Sequence, residues 1–432
     1  MTSPAFDPLT ETLRREQVQQ NQLDKLRCLL ATVLASNPFY QRKLATVGFC
    51  SANDLRSLAD LRHLPFTTKR ELVDDQAANP LFGTNLSCPV ARYVKYHQTS
   101  GTTGKPLRWL DTEESWQWWT RCWGSVYRAA GVGPGDRIFF AFGFGPFIGF
   151  WSAYDAARLV GAMAIPGGGM SSERRLHAIM ENAATVLVCT PTYALHLAEI
   201  AARNGIDIAH SHVRVTIHAG EPGASIPSTR QCIEARWGAE CFDHPGATEV
   251  GAFGFSCSAR SGVHLNESEF VFELLDPRTG QPTEEGELVV TNLGRHGMPV
   301  IRYRLGDLAR LDMTPCDCGR TYARALGGII GRVDDMVTVR GVNVYPSAIE
   351  AIVRQFPAIT EFFTEVTRQE EMDELHLQIE ASGAEGDHIA RALAQRVQQQ
   401  LALRATVTVV AAGTLPRLET KARRFADKRE PL

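Results

Sequence analysis

The chain has 432 residues, 44% of them hydrophobic, enough for a sizeable core and more than one ordinary compact domain holds. Its 45 basic and 48 acidic residues leave a formal net charge of −3, which excludes the basic surplus that a nucleic-acid-binding surface needs. No apolar run reaches the roughly 18 to 20 residues that span a bilayer, and residues 1–16 lack the apolar stretch of a secretory signal, so neither a membrane nor a nucleic-acid partner is expected and the expected location is the cytoplasm.

Residues 9–46 read as helical: Leu13, Val18, Leu23, Leu26, Leu29 and Leu30 recur at helical spacing between polar residues, and Asn37-Pro38 breaks the pattern. From about residue 90 the text changes. The runs 138–142, 162–165, 186–189 and 213–218 predict buried strands, and 116–130, 152–160, 172–182 and 192–202 predict helices. This alternation predicts a three-layer α/β body. Between 262 and 312 the pattern turns strand-rich, with a hairpin connection between 276 and 286. After Gly331 the composition shifts again: helix 347–356, strands 362–367 and 375–379, helix 388–401 and strand 406–410 make a small α+β unit. The expected division is a large N-terminal domain, 1–331, and a small C-terminal domain, 332–432, joined at 332–335. There is no internal repeat and no low-complexity segment.

Three stretches carry chemistry. Thr99-Ser100-Gly101-Thr102-Thr103-Gly104-Lys105 follows the strand-like residues 93–96. Its glycines let backbone approach a phosphate, and its hydroxyls and one ammonium supply donors. It is not a Walker A loop, and on turn chemistry alone a polar surface turn is the commoner reading. Residues 142–151, from Phe142 through Phe144 and Phe147 to Trp151, crowd aromatics among glycines. Such a run suits the wall of a pocket for a flat ring, and equally suits core packing. Ten cysteines are too sparse for a disulfide scaffold, and most read as buried thiols of a reducing compartment; Cys316 and Cys318 stand apart on either side of Asp317.

The full string 99–106 resembles the signature loop of the adenylate-forming superfamily of acyl-CoA synthetases, carrier-protein adenylation domains and luciferases, and further motifs follow in the family's order. His218-Ala219-Gly220-Glu221-Pro222 resembles the segment that lines the adenine and acyl pockets. Phe242-Asp243-His244-Pro245-Gly246-Ala247-Thr248-Glu249 corresponds to the Tyr-Gly-x-Thr-Glu block, with Pro245 where the family has the tyrosine that stacks on adenine. The resemblance implies that Thr248 touches the α-phosphate and Glu249 holds magnesium, a carboxylate being the ligand that ion prefers. It places Gly220, Glu221, Pro222, Asp243, His244 and Pro245 on the nucleotide side, and His218, Ala219 and Gly246 with Phe142, Phe144 and Phe147 around the acid.

Tyr303-Arg304-Leu305-Gly306-Asp307 resembles the motif whose aspartate accepts both ribose hydroxyls. Gly331-Arg332-Val333-Asp334-Asp335 and Arg340-Gly341-Val342-Asn343 resemble the family hinge, which implies a ribose contact for Arg332, a pivot at Asp334 and a place for Gly341 in the pantetheine tunnel. Leu415-Pro416-Arg417-Leu418-Glu419-Thr420-Lys421 resembles the final motif, whose lysine serves adenylation electrostatically. Leu64-Pro65-Phe66-Thr67-Thr68-Lys69 and 340–347 are closest to the phenylacetate-CoA ligase branch. That branch often shows a Cys-x6-His followed by Cys-x-Cys, so the resemblance implies that Cys257, His264, Cys316 and Cys318 hold a structural zinc, although residue types alone favour buried thiols.

The expectation is therefore an enzyme that uses ATP and magnesium to adenylate a small-molecule carboxylic acid, expected to be aromatic, and then passes the acyl group to CoA. An adenylating enzyme that loads a carrier protein or an amine stays open, as does an inactive binding paralogue, against which intact Lys421, Glu249 and Asp307 argue. A homodimer is compatible with the sequence but not demanded by it.

Overall fold

The computed structural model describes residues 5–99, 106–340, 342–369, 372–381, 386–416 and 424–429. The N-terminal helical stretch is three helices, Pro8–Glu11, Arg15–Ser36 and Pro38–Ala45. The long one buries Val18, Leu23, Leu26, Leu29, Leu30 and Val33, whereas Leu13 falls in the link before it. Asn37 both ends that helix and starts the next. Its N–H donates to the Val33 carbonyl, its side chain accepts from the Tyr40 N–H, and Pro38 takes the first helical position where no N–H is needed.

A five-stranded parallel sheet runs in the order Met163–Pro166, Arg137–Phe140, Val186–Cys189, Val215–His218 and Glu240–Asp243. Alternate residues face opposite layers. Ile138, Phe140, Val186, Val188, Val215, Ile217 and Phe242 pack with the tryptophan-rich helix Glu113–Ala129, while Phe139, Leu187, Cys189 and Cys241 pack beneath Ser172–Glu181, Pro191–Arg203 and Pro227–Trp237. The three-layer body expected from the alternation is the one observed.

Two strand boundaries differ from the sequence reading. Phe142 leaves the sheet because its N–H turns back to the Phe140 carbonyl, which frees the aromatic run to form a loop. The ladder of the fourth strand begins at Val215, after Val213 and Arg214. The edge strand Glu240–Asp243 has only two apolar residues and carried no strand signal.

A second sheet is antiparallel, in the order Gly254–Ser256, Val263–Leu265, Arg324–Ala325, Tyr303–Asp312, Glu285–Asn292 and Phe270–Leu275, with Gly331–Arg332 paired to Tyr303–Asp312. The expected hairpin connection is there, and Asp276 caps its turn by accepting the N–H groups of Arg278 and Thr279.

The C-terminal part forms a separate core of Val339, Val344, Ile349, Phe362, Val366, Leu377, Ile379, Leu393 and neighbours. Its sheet runs Ala405–Val410, Met372–Ala381, Ile359–Gln369 and Phe425–Asp427, flanked by the helices Pro346–Val353 and Gly386–Leu401. This is the small α+β unit. It touches the large body through the Ser228 hydroxyl, which donates to the Ala351 carbonyl at 3.1 Å, and through Arg424, which donates to the Thr192 hydroxyl at 3.1 Å. No described helix is long and apolar enough to cross a membrane.

Candidate active site

The carboxyl ends of the parallel strands converge, which is where open α/β sheets bind ligands. His218 closes Val215–His218, and the chain turns at Gly220, whose φ of +94° only glycine adopts without strain. Glu221 then accepts the Thr192 N–H at 2.8 Å, and burial pushes its carboxyl above the usual range. On the adjacent strand Asp243 is half-buried, and desolvation raises it to about 6, although the Ser225 hydroxyl donates to it. Its own N–H donates to Ser256 at 2.7 Å. His218 and Asp243 are register partners, so two motifs distant in sequence meet on one sheet edge.

Thr99 directly follows the first strand of a hairpin, Tyr93–Gln98 with Arg108–Thr112. Its N–H donates to the Leu107 carbonyl and its hydroxyl accepts the Leu107 N–H, so it closes the neck of the loop. Ser100, Gly101, Thr102, Thr103, Gly104 and Lys105 lie outside the described residues, as do Gly341 and Lys421.

Glu249 is 6% exposed, and two groups face its carboxylate: the Tyr303 hydroxyl at 3.3 Å and the Lys69 ammonium at 3.9 Å. Lys69 closes the Leu64 to Lys69 signature, and sequence reasoning gave it no role. Its signal was there: a lone cation ending a motif whose Thr67 is bonded to Arg302 and Arg304 around Tyr303. The loop that carries Thr248 and Glu249 is pinned by Arg295, which donates to the Thr248 carbonyl at 2.7 Å. Arg295 is itself held by both oxygens of Asp111 at 2.6 Å, and neither side chain is exposed. The tryptophan rings of Trp109 and Trp119 cover its guanidinium. Two partners 184 residues apart leave no local pattern, so the sequence could not announce this anchor.

Asp307 and Arg332 are register partners, and Arg332 donates to Asp307 at 2.9 Å and to Asp334 at 2.8 Å. Three residues read from two motifs thus form one charged group at the edge of the second sheet. Gly306, at φ +80°, lets that guanidinium approach, since a Cβ there would meet it at 2.9 Å.

The aromatic run forms a connected wall. Phe142 lies edge-on to Phe144, Phe147 and Phe150 at 5.2 to 5.3 Å, and Phe144 to Trp151 at 4.6 Å. Gly149 is obligatory, because a Cβ there would strike the Phe142 ring at 1.8 Å. Phe150 continues to Trp123, and Trp123 to the ring of His244. Phe147 keeps 38% of its surface exposed, Ala219 is partly buried against this core, and Gly246 is exposed. His218 is fully buried and held neutral, lowered to about 4 by burial, with Nδ1 against the Cys189 carbonyl. Pro245 stands beside Gly254, where a Cβ would meet its ring at 2.9 Å.

Away from these residues, Cys257, His264, Cys316 and Cys318 bring their ligand atoms within 4.8 Å of one another. Cys257 Sγ is 3.8 Å from Cys316 Sγ, and Cys318 Sγ is 3.4 Å from His264 Nε2. Tetrahedral zinc, with Zn–S near about 2.3 Å and Zn–N near about 2.0 Å, sets such edges at about 3.8 and 3.5 Å. The donor set and its spacing fit that ion. Arg320 beyond the turn is buried and paired with Glu11 at 2.7 Å, which ties the cluster to the first helix.

Residues 341–429 match the family described as the AMP-binding enzyme C-terminal domain. Over 444 residues the chain is 33% identical to a phenylacetate-coenzyme A ligase of Escherichia coli (strain K12), covering 99% of each. It overlays a solved 2-hydroxyisobutyryl-CoA ligase in the postadenylation state, bound to its adenylate, with a TM-score of 0.92 at 30% identity, over 97% of this chain and 91% of the other. The same ligase in its thioesterification state, with CoA, overlays with 0.74 at 32% identity, over 98% and 92%.

Proposed function

The chain belongs to the adenylate-forming superfamily, among ligases of the phenylacetate-CoA ligase type, and we propose that the acid it activates is aromatic. It is an AMP-forming acid–thiol ligase: a carboxylic acid and ATP give an acyl-adenylate and pyrophosphate, and the CoA thiol then takes the acyl group, releasing AMP. The observation that carries the aromatic reading is the connected wall from Phe147 through Phe142 and Phe150 to Trp123, beside the sheet edge that holds Ala219 and Gly246. Flat rings gain offset and edge-on contacts from such a wall beyond plain area burial. The solved ligase named for a short branched hydroxy acid shares the fold, so the fold alone does not choose the acid.

In the proposed reading Thr99 to Lys105 cradle the phosphates, Thr248 meets the α-phosphate, and Asp307 with Arg332 hold the ribose. Glu221, Pro222 and Gly220 border the base, with Asp243 behind them. Glu249 holds magnesium, which neutralises phosphate charge when bound, and Lys69 supplies a positive charge at the same carboxylate. Lys421 approaches from the small domain, taken as 332–432 against 1–331. Asp334 pivots that domain, and Gly341 lines the pantetheine path. The difference in overlay, 0.92 against 0.74 over nearly equal coverage, supports reading this arrangement as the adenylate-bound one. The thiol cluster holds a zinc that is structural, since four protein ligands leave no open position.

An acid panel tests the aromatic reading. Benzoate and phenylacetate are expected to give kcat/KM about tenfold or more above aliphatic acids of similar length, the scale of losing a few buried carbons. Phe142→Ala, Phe144→Ala and Phe147→Ala are expected to narrow that ratio. A fall in melting temperature for all three with the ratio unchanged makes these rings core and removes the reading.

A further inference from the structure

We propose that His244 sets acid specificity, accepting through Nε2 a hydrogen bond from a hydroxyl or amino group on the acid. This rests on the acid-pocket reading above and moves His244 from the nucleotide side, where the motif resemblance placed it, to the acid side.

Geometry decides which imidazole nitrogen does what. Nδ1 lies 2.7 Å from the Gly254 carbonyl. A carbonyl oxygen only accepts, so Nδ1 carries the proton and Nε2 presents a lone pair. Burial lowers the ring to about 4, against the opposing pull of that carbonyl, so it stays neutral through the physiological range. Among the described residues no group donates to Nε2.

What Nε2 faces is the space over Gly246. A Cβ at that glycine would stand 3.1 Å from Nε2, and there is none. His218, on the neighbouring strand, also has an unpartnered Nε2, but that atom is sealed inside the fold. The His244 ring packs on Trp123 with centroids 4.2 Å apart, at the end of the aromatic wall. It is therefore the polar end of an otherwise apolar lining. His244 is only 3% exposed, but its Nε2 is not sealed as that of His218 is, so water can donate to it until an acid displaces that water. An acid carrying a donor satisfies it, and an acid without one displaces water and leaves it unpaired. Such a site discriminates against the analogue that lacks the donor more sharply than an apolar pocket discriminates by size.

Matched pairs test this by pyrophosphate release: 3- and 4-hydroxybenzoate and 4-aminobenzoate against benzoate, 4-hydroxyphenylacetate against phenylacetate, and a short hydroxy acid against its deoxy counterpart. The expected result is at least one donor-bearing acid about tenfold or more above its partner in kcat/KM. His244→Leu is expected to bring that ratio to about one by lowering kcat/KM for the donor-bearing acid more than for its unsubstituted partner, a selective loss that misfolding, which lowers both alike, does not give. A ratio near one in every wild-type pair overturns the proposal. So does a ratio that survives in His244→Leu, or an equal loss on both members of the pair. If only the aliphatic pair turns over, the aromatic reading fails, and the ratio within that pair still decides the role of His244.

Discussion

Lys421→Ala is expected to lower acyl-adenylate formation by about 10²-fold or more, with much less effect on thioester formation from preformed adenylate. The size is that of one preorganised electrostatic contact to charge that develops in the transition state, about 2.7 to 4 kcal/mol. The split between half-reactions follows from the proposed rotation: the lysine rides on the small domain, and the second half-reaction uses a different face of that domain. Residues 417–423 lie outside the described ones, but Arg424, three positions on, is fixed at the interface. It donates to Glu361 at 2.6 Å, within the small unit, and to Thr192 at 3.1 Å, in the large body. Thr192 in turn gives its N–H to Glu221 of the pocket segment. The segment that carries Lys421 thus ends against the large body beside the proposed nucleotide site. Measurement is by ATP–pyrophosphate exchange for the first half and by CoA consumption from synthetic adenylate for the second. Equal losses in both halves remove the rotation from the account.

Removing the proposed zinc has the second large expected effect. Elemental analysis is expected to find about one zinc per chain, and Cys318→Ser to lose it. Three thiolates and an imidazole drawn from separate strands and a turn are otherwise four polar groups crowded in the interior, three of them thiols that repel one another once ionised. The Cys318 thiol is driven well down by its hydrogen bond with Cys257, against burial, while Cys257 is driven up. A melting temperature lower by about 5 °C or more is expected in the variant or after chelation, consistent with the loss of a few kcal/mol in a chain of this size. Metal-free protein with full activity and an unchanged melting temperature makes the four residues an accident of packing.

Much of the large body was legible because its signal is local. Val186–Cys189 is a short apolar run buried on both faces, and it is a strand from its first residue to its last. Asn37-Pro38 announced a helix break through chemistry contained in those two residues. The edge strand Glu240–Asp243 was silent because it sends a single apolar residue to each layer, Phe242 to one and Cys241 to the other, too few to make a pattern. Phe142 read as strand because aromatics suit strands, and only a hydrogen bond back to Phe140 took it out into the wall.

The site divides in the same way. Motif order identified which residues to watch, but contacts between motifs depend on the fold. Asp307, Arg332 and Asp334 meet because two strands pair in one register. Lys69 reaches Glu249, and Asp111 reaches Arg295, across about 180 residues with no pattern to link them. His244 sits inside a motif that the family resemblance assigns to the nucleotide, and the contact of its ring with Trp123 is a tertiary fact.

The central claim is that this chain joins a carboxylic acid to CoA through an adenylate. It is tested most directly by incubating the protein with ATP, magnesium, CoA and phenylacetate or the best acid of the panel, and counting products by mass spectrometry. The account predicts one AMP and one pyrophosphate for each acyl-CoA, with acid-dependent ATP–pyrophosphate exchange when CoA is left out. Formation of ADP and phosphate, or an adenylate that passes to no added CoA, contradicts it.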